Sequence, residues 1–530
     1  MEPLTPRAHA HRTPDAPAVI MSAGPAEDMS GDPVGDTCLT FAELDDRSAR
    51  LATALRAKGL KPGDGIALLM ENHPAFFVAA WAAQRSGLRY TALNSHLHPA
   101  EAQYILDDCG ARALIASERM TEVVAGLDLT RIPIRLCAVG KLKGWAPLDE
   151  AIAAYGPLPE PEESEGREML YSSGTTGRPK GVRKELSHAP FGDPAAAPAL
   201  IARGIAANGG GLRPGDVFLS PAPLYHSAPL VYSMSMQRLG VPVVLMDGFE
   251  PRQCLRLIAQ HRVTQAQFVP TMFVRMLRLT RAERERHDVS SLRVVVHTGA
   301  PCPVPVKRQM IDWWGPIVHE YYAGTEDIGN TAITAEEWLA HPGSVGKPAT
   351  ACHIVDDMTG AELPPGHEGV VYFEGGRLFA YHNDPEKTAS VTNAHGWRTL
   401  GDIGRLDEDG YLYLTDRRAH MIISGGVNVY PQEAENVLAG HPAVADVAVI
   451  GVPDPEMGEA VKAVVQPAEG ASEGAELAAG LIAYCRAELA AYKCPRTVDF
   501  TDELPRDPNG KLYKRRLRER YWQGHDSRVI

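Results

Sequence analysis

The sequence predicts an α/β protein: a large N-terminal domain of doubly wound sheets with a small β-barrel-like part, then a small mobile α+β C-terminal domain. Three observations carry this. A chain of 530 residues exceeds what one hydrophobic core fills, so a large unit with at least one smaller one is expected. Its earlier part alternates helical periodicity with short apolar runs, the texture of parallel strands joined by crossover helices. From about residue 346 to 416, runs rich in Gly, Tyr and Val, such as EGVVYFEG and GYLYLTD, point to a small antiparallel sheet or barrel. The balance of 44% hydrophobic and 22% charged residues is that of a folded globular chain.

Taken in order, residues 41–58, FAELDDRSARLATALRAK, place apolar side chains at helical spacing and stop at Gly59, with Lys61-Pro62-Gly63-Asp64 as the next turn. Residues 65–70 read as a strand and 74–86 as a buried helix. The runs 241–246, 266–269 and 293–297 continue the parallel pattern. Residues 158–167, LPEPEESEGR, are acidic and proline-rich and read as a solvated connector into a strand at 169–172. Beyond Arg417 a new unit begins, with strands at 444–451 and 463–466 and an amphipathic helix at 475–491 ended near Pro495. The boundary falls at 416–421, giving domains 1–416 and 417–530. No internal repeat is visible.

A net charge of −13 and a pI near 5.8 argue against a nucleic-acid partner, which requires a basic face. The eight cysteines form no CxxC pair, so neither a zinc site nor a disulfide framework is indicated, and a reducing cytoplasm is the expected location. The opening MEPLTPRAHAHRTPDAPAVI lacks a basic segment followed by an apolar one, and the apolar run 75–83 is too short to span a bilayer. No integral membrane segment is expected. Nothing in the sequence sets an oligomeric state.

The segment richest in chemistry is 171–181, YSSGTTGRPKG. Glycines let backbone N–H groups converge on an anion, the hydroxyls of Ser172, Ser173, Thr175 and Thr176 can donate, and Lys180 adds a point charge. It is not the GxxxxGK[ST] loop of nucleoside triphosphatases, because Pro179 precedes the lysine and Gly181 follows it. A surface turn rich in Gly and Ser is the plain alternative for such a loop alone.

The loop resembles the signature of the acyl-adenylate-forming superfamily of acyl-CoA synthetases, luciferases and peptide-synthetase adenylation domains. The similarity runs from the FAEL helix at Phe41 to Lys511, with fatty-acyl-CoA-synthetase-like blocks in the family's order. It implies ATP binding by Ser172, Ser173, Gly174, Thr175, Thr176, Gly177 and Lys180. In EYYAGTE, Glu320, Tyr321 and Tyr322 would border adenine, with Tyr322 as the stacking ring. Thr325 would bond the α-phosphate or acyl oxygen, and Glu326 would be a hard oxygen ligand for Mg²⁺. Gly299-Ala300-Pro301 resembles the backbone surface under the base. In GWRTLGDIGR, Asp402 takes the place of the aspartate that grips both ribose hydroxyls, assisted by Arg417.

In LPRDPNGKLYK, Lys511 matches the catalytic lysine of adenylation, projected by the Asn509-Gly510 turn. IISGGVNVYP resembles the block bordering a pantetheine channel, here Ser424, Gly425 and Gly426. Many of the family carry Asp or Lys as a pivot two residues after the boundary arginine, where this chain has Ala419. His226 in PLYHSAP, with Gly324, matches positions that the resemblance would place beside the acid carboxylate. Small residues at 323, 324 and 329 and Met234 and Met236 suggest a roomy apolar pocket.

The resemblance thus implies an acid–coenzyme A ligase using ATP, coenzyme A and Mg²⁺ on a small-molecule acid, a medium or long fatty acid or a bulky ring-bearing one. Two alternatives stand beside it. One is adenylation with delivery to a carrier protein. The other is a non-catalytic nucleotide-binding homologue, against which the joint presence of Lys511, Glu326, Asp402 and Arg417 argues.

Overall fold

The expected helix at 41–58 forms as Phe41–Ala57, and its first turn shows why it starts there. The Thr40 hydroxyl accepts from the Glu43 amide while the Glu43 carboxylate accepts from the Thr40 amide, satisfying two orphan donors at once. Its buried face, including Phe41, Leu44, Leu51 and Leu55, packs on helix Pro74–Arg85. That second helix is buried along its whole length after Pro74, as a helix apolar on all sides must be. The computed structural model describes residues 4–22, 36–172, 179–207, 211–417, 420–424, 427–454, 457–506 and 512–523, apart from the side chains of Arg417 and Asn428.

Two parallel sheets organise the larger part. The first has six strands in the order Ala146–Pro147, Ile134–Val139, Ala111–Ser117, Gly65–Leu69, Arg89–Ala92 and Arg167–Glu168, all parallel. The second has nine, and its parallel core runs from Val318–Ala323 through Val294–His297, Gln265–Phe268, Phe218–Ser220 and Val243–Leu245 to Pro17–Met21. Antiparallel strands close both its edges. Helices Pro74–Arg85 and Ser227–Arg238 share one apolar core with strands of both sheets. The Trp81 indole N–H, donating to Gln237 Oε1 at 2.6 Å, ties the two helices together.

A four-stranded antiparallel sheet, Cys352–Val355, Gly369–Phe373, Asp402–Leu406 and Leu412–Arg417, occupies the Gly-, Tyr- and Val-rich stretch. A separate hairpin, Leu170–Ser172 with Lys180–Lys184, is extended by strand Phe379–Tyr381. After Ile422 comes a five-stranded sheet built on the long antiparallel pair Val444–Asp454 and Gly458–Pro467. Val447, Val449, Val461 and Val465 form its core with Leu438 and Leu481 of the covering helices.

One sequence expectation is overturned in part. Residues 159–162 of the acidic segment are exposed, as expected of a solvated connector, but its second half is not, since Glu163 and Glu165 are 6% and 1% exposed. Arg85 Nε donates to Glu163 at 2.7 Å and Arg7 Nη2 at 2.9 Å. Glu165 accepts from Arg238 and from Gln84 Nε2, the latter at 2.5 Å. Each buried carboxylate has a buried cation, which is the condition for burying it at all. Arg85 and Arg238 lie on the two central helices and Arg7 on helix Pro6–Arg12, all far away in sequence.

Candidate active site

The carboxyl ends of the parallel strands in the nine-stranded sheet open onto a cavity of about 2300 Å³, the edge at which α/β sheets hold ligands. Strand Val294–His297 hands over there to Thr298, Gly299, Ala300 and Pro301, all on the lining. Gly299 has φ +86°, a left-handed conformation that a side chain would strain. The far wall comes from the C-terminal unit, including Gln432, Glu435, Asp446 and Lys514.

Strand Val318–Ala323 supplies the next face. Glu320 is buried and its Oε2 accepts from Lys307 Nζ at 2.6 Å, with His297 Nε2 3.3 Å away. Burial pushes the Glu320 carboxyl up and the Lys307 ammonium down, and each opposes the shift of the other. Burial, reinforced by Lys307, holds His297 well below the usual imidazole range. The Tyr321 hydroxyl accepts from Gln267 Nε2 at 2.9 Å. The Tyr322 hydroxyl donates to Asp402, a buried residue at the start of its own strand in the four-stranded sheet. Arg417 stands opposite Asp402 in strand register. Tyr322 and Asp402, remote in sequence and drawn from two sheets, thus meet on the lining of one cavity.

Ala323 is on the lining, and Gly324, Thr325 and Glu326 form the turn beyond it, closed by the Asp327 amide donating to Gly324 O at 3.1 Å. Glu326 is buried and its Oε1 accepts from the Tyr381 hydroxyl at 2.9 Å. The expectation of room at the small residues is not met at two positions. A Cβ on Gly324 would stand 2.6 Å from Leu400, and one on Gly329 would stand 2.3 Å from Phe373. These glycines admit neighbouring side chains rather than a ligand. Met234 and Met236 are likewise core residues.

In the hairpin, Ser172 and Lys180 face each other in register, and the Lys180 ammonium donates to Asp384. That bond, more than any other influence, raises the Lys180 pKa. Gly181 is required by the Tyr171 ring, whose Cζ would lie 2.9 Å from a Cβ there. His226 precedes helix Ser227–Arg238, its ring 4.5 Å from that of Tyr225, and is not part of the cavity lining. Ser424 is buried in strand Ile422–Ser424, also off the lining. Ser173, Gly174, Thr175, Thr176, Gly177, Ala419, Gly425, Gly426 and Lys511 lie outside the described residues, as does the Arg417 side chain.

Sequence reasoning missed Lys307, Asp384, Gln267 and Tyr381. Only Lys307 left a signal: it interrupts the apolar stripe of helix Val304–Trp314, between Val304 and Met310 and Ile311. A lysine on a buried stripe asks for a carboxylate, and Glu320 is that carboxylate.

Comparison with known proteins agrees with this architecture. The model of the AMP-binding enzyme family matches residues 6–380, and that of the AMP-binding enzyme C-terminal domain matches 433–511. A feruloyl-CoA synthase of Amycolatopsis sp is 36% identical over 492 residues, covering 92% of this chain and 95% of the relative. A fatty acid–[acyl-carrier-protein] ligase of Streptomyces coeruleorubidus is 34% identical, covering 98% and 96%. The o-succinylbenzoate CoA synthetase of Bacillus subtilis, solved with its acyl-adenylate intermediate, superposes with a TM-score of 0.78 at 28% identity over 100% of this chain and 99% of that one. It has also been solved with ATP and magnesium ion. Fold, cavity and both family matches converge: the chain belongs to the AMP-binding enzymes, the acyl-adenylate-forming superfamily.

Proposed function

We propose that this AMP-forming acid–thiol ligase activates a hydrophobic carboxylic acid with ATP and passes the acyl group to coenzyme A. In the first half-reaction a carboxylate oxygen attacks the α-phosphorus, the bond to pyrophosphate breaks, and an acyl-adenylate forms. In the second, the thiol sulfur attacks the acyl carbonyl and AMP leaves. One observation carries the reading: Tyr322 and Asp402 meet beside the Gly299-Ala300-Pro301 shelf on one cavity. A flat ring, a bare backbone surface and a carboxylate are what adenine and a ribose diol require.

In this reading residues 1–416 bind ATP and acid, and residues 417–530 bring Lys511 and the thiolation surface with Ser424. Ser172 and Lys180 contact the polyphosphate, and Thr325 the α-phosphate or acyl oxygen. Lys511 stabilises charge that develops on the α-phosphate oxygens, and so acts on the transition state more than on the ground state. Among the described residues no group of three or more His, Cys, Asp or Glu could cage a metal ion. Mg²⁺ is commonly held by one or two carboxylates together with substrate phosphates, and the buried Glu326 carboxylate suits that mode. When bound, the ion neutralises polyphosphate charge.

The acid is read as a medium or long fatty acid or a ring-bearing one, a class in keeping with the feruloyl and fatty-acid relatives. The second reading, delivery to a carrier protein, is favoured by the Streptomyces coeruleorubidus relative, similar over nearly the whole chain. Among the described residues no helix is long and apolar enough to cross a membrane, and we place the reaction in the cytoplasm. The test is AMP release from ATP and Mg²⁺ over fatty, aryl and sterol-type acids, with coenzyme A, with a phosphopantetheinylated carrier protein, and with neither. AMP release that requires both an acid and coenzyme A supports the ligase. Release with carrier protein alone transfers the reading to the second acceptor, and no release or pyrophosphate exchange with any acid overturns both.

A further inference from the structure

The hairpin that carries Ser172 and Lys180 is short, and something must choose its register. Three pairs are in step: Lys180 with Ser172, Gly181 with Tyr171, and Val182 with Leu170. Continuing the same antiparallel step by two residues brings Lys184 opposite Glu168. Those two residues form an ion pair, Lys184 Nζ donating to Glu168 Oε1 at 2.6 Å, with side chains 8% and 6% exposed. Because side chains alternate between faces, Lys184–Glu168, Val182–Leu170 and Lys180–Ser172 share one face.

Glu168 is also bound into the main body. It pairs in parallel with Tyr90 at the edge of the six-stranded sheet, and the Met169 amide donates to Tyr90 O at 2.9 Å. On the other strand, Arg89 Nη1 donates to Lys184 O at 2.6 Å. Burial alone would raise the Glu168 carboxyl, yet Lys184 and then Arg167 more than reverse this and hold it well below the usual carboxylate range.

We propose that the Glu168–Lys184 ion pair is a register lock that makes Ser172 and Lys180 face each other, and so sets where the Lys180 ammonium stands for the ATP polyphosphate. A slip of one residue would turn Lys180 to the opposite face, and a slip of two would carry it about 7 Å along the strand. Either slip separates two buried charges, which is far costlier than losing a surface pair. Glu168 and Lys184 are positioning residues and touch no substrate. The proposal rests on the reading of Lys180 as a phosphate-binding residue.

The test separates the half-reactions, using whichever acid gives most AMP in the panel above. ATP–pyrophosphate exchange reports adenylation, and transfer from supplied acyl-adenylate to coenzyme A reports a step that needs no polyphosphate. Glu168→Gln should raise the KM for ATP about tenfold, leave the KM for the acid within about twofold, and leave transfer from acyl-adenylate near wild type. The double variant Glu168→Gln/Lys184→Gln restores a neutral cross-strand hydrogen bond but leaves the buried Arg167 without its carboxylate, so it should recover part of the loss and not all of it. An unchanged KM for ATP, or an equal fall in both half-reactions, overturns the lock. If Glu168→Gln does not accumulate as folded protein, Lys184→Arg keeps the charge but moves the cation; a raised KM for ATP there supports the proposal and an unchanged one overturns it. A wild-type protein without pyrophosphate exchange would instead sink the proposed function.

Discussion

The hydroxyl of Tyr322 has a separate task from its ring. In the proposed reading the ring stacks on a base, while the hydroxyl donates to Asp402, a carboxylate from another sheet. Tyr322→Phe keeps the ring and removes the donor, so its cost is that of one hydrogen bond to a charged group, about 1.5–3 kcal/mol at most. Titration of initial rate against ATP should show KM rising by up to about ten- to a hundredfold with kcat nearly preserved, and Tyr322→Ala should be worse. Tyr322 and Asp402 were legible because each sits in a short segment of distinctive residues. Lys307 was harder to read, because what makes it informative is its pairing with Glu320 across a fold. For Gly324 and Gly329 composition misled: a glycine that leaves room for substrate and one filled by Leu400 or Phe373 are the same letter.

Among the elements, those with local signals were read nearly to the residue. Helical spacing and the stop at Gly59 mark Phe41–Ala57, and the alternation of apolar runs marks the parallel strands. The acidic strap was misread because its charges are neutralised by arginines that apolar neighbours on buried helices conceal. Arg85 is the centre of that strap, bonded to Glu163 at 2.7 Å, to the Ser48 hydroxyl at 2.7 Å and to Asp45. Arg85→Met leaves Glu163 buried with less of its compensating charge. It should destabilise the larger part by about 3–5 kcal/mol, seen as a lower urea midpoint in the first transition followed by tryptophan fluorescence. A midpoint within error of wild type would mean that the strap contributes little.

For the molecule as a whole, buried titratable groups set how stability depends on pH. Burial lowers the pKa of His73, His297, His319 and His382 in the fold. A histidine depressed in the native state binds its proton more readily when unfolded, so the fold loses stability as pH falls below about 6.5. Glu168, whose carboxyl is likewise lowered in the fold, contributes stability that is present above about pH 4.5 and lost on further acidification. The melting temperature should therefore fall from about pH 7 to about pH 5.5. His297→Gln should flatten that slope by up to about 1.4 kcal/mol per pH unit, measured by calorimetry at matched ionic strength; an unchanged slope would show that His297 does not titrate with unfolding. The topology also has a consequence for the order of assembly during synthesis. Strand Pro17–Met21 is made more than two hundred residues before its inner neighbour, Val243–Leu245. Until that later strand has been made, the early hairpin with Thr37–Thr40 has a bare β edge. A nascent chain halted before residue 243 should therefore be held by chaperones, and one extended past Lys347–Pro348, the last strand of that sheet in chain order, should be released.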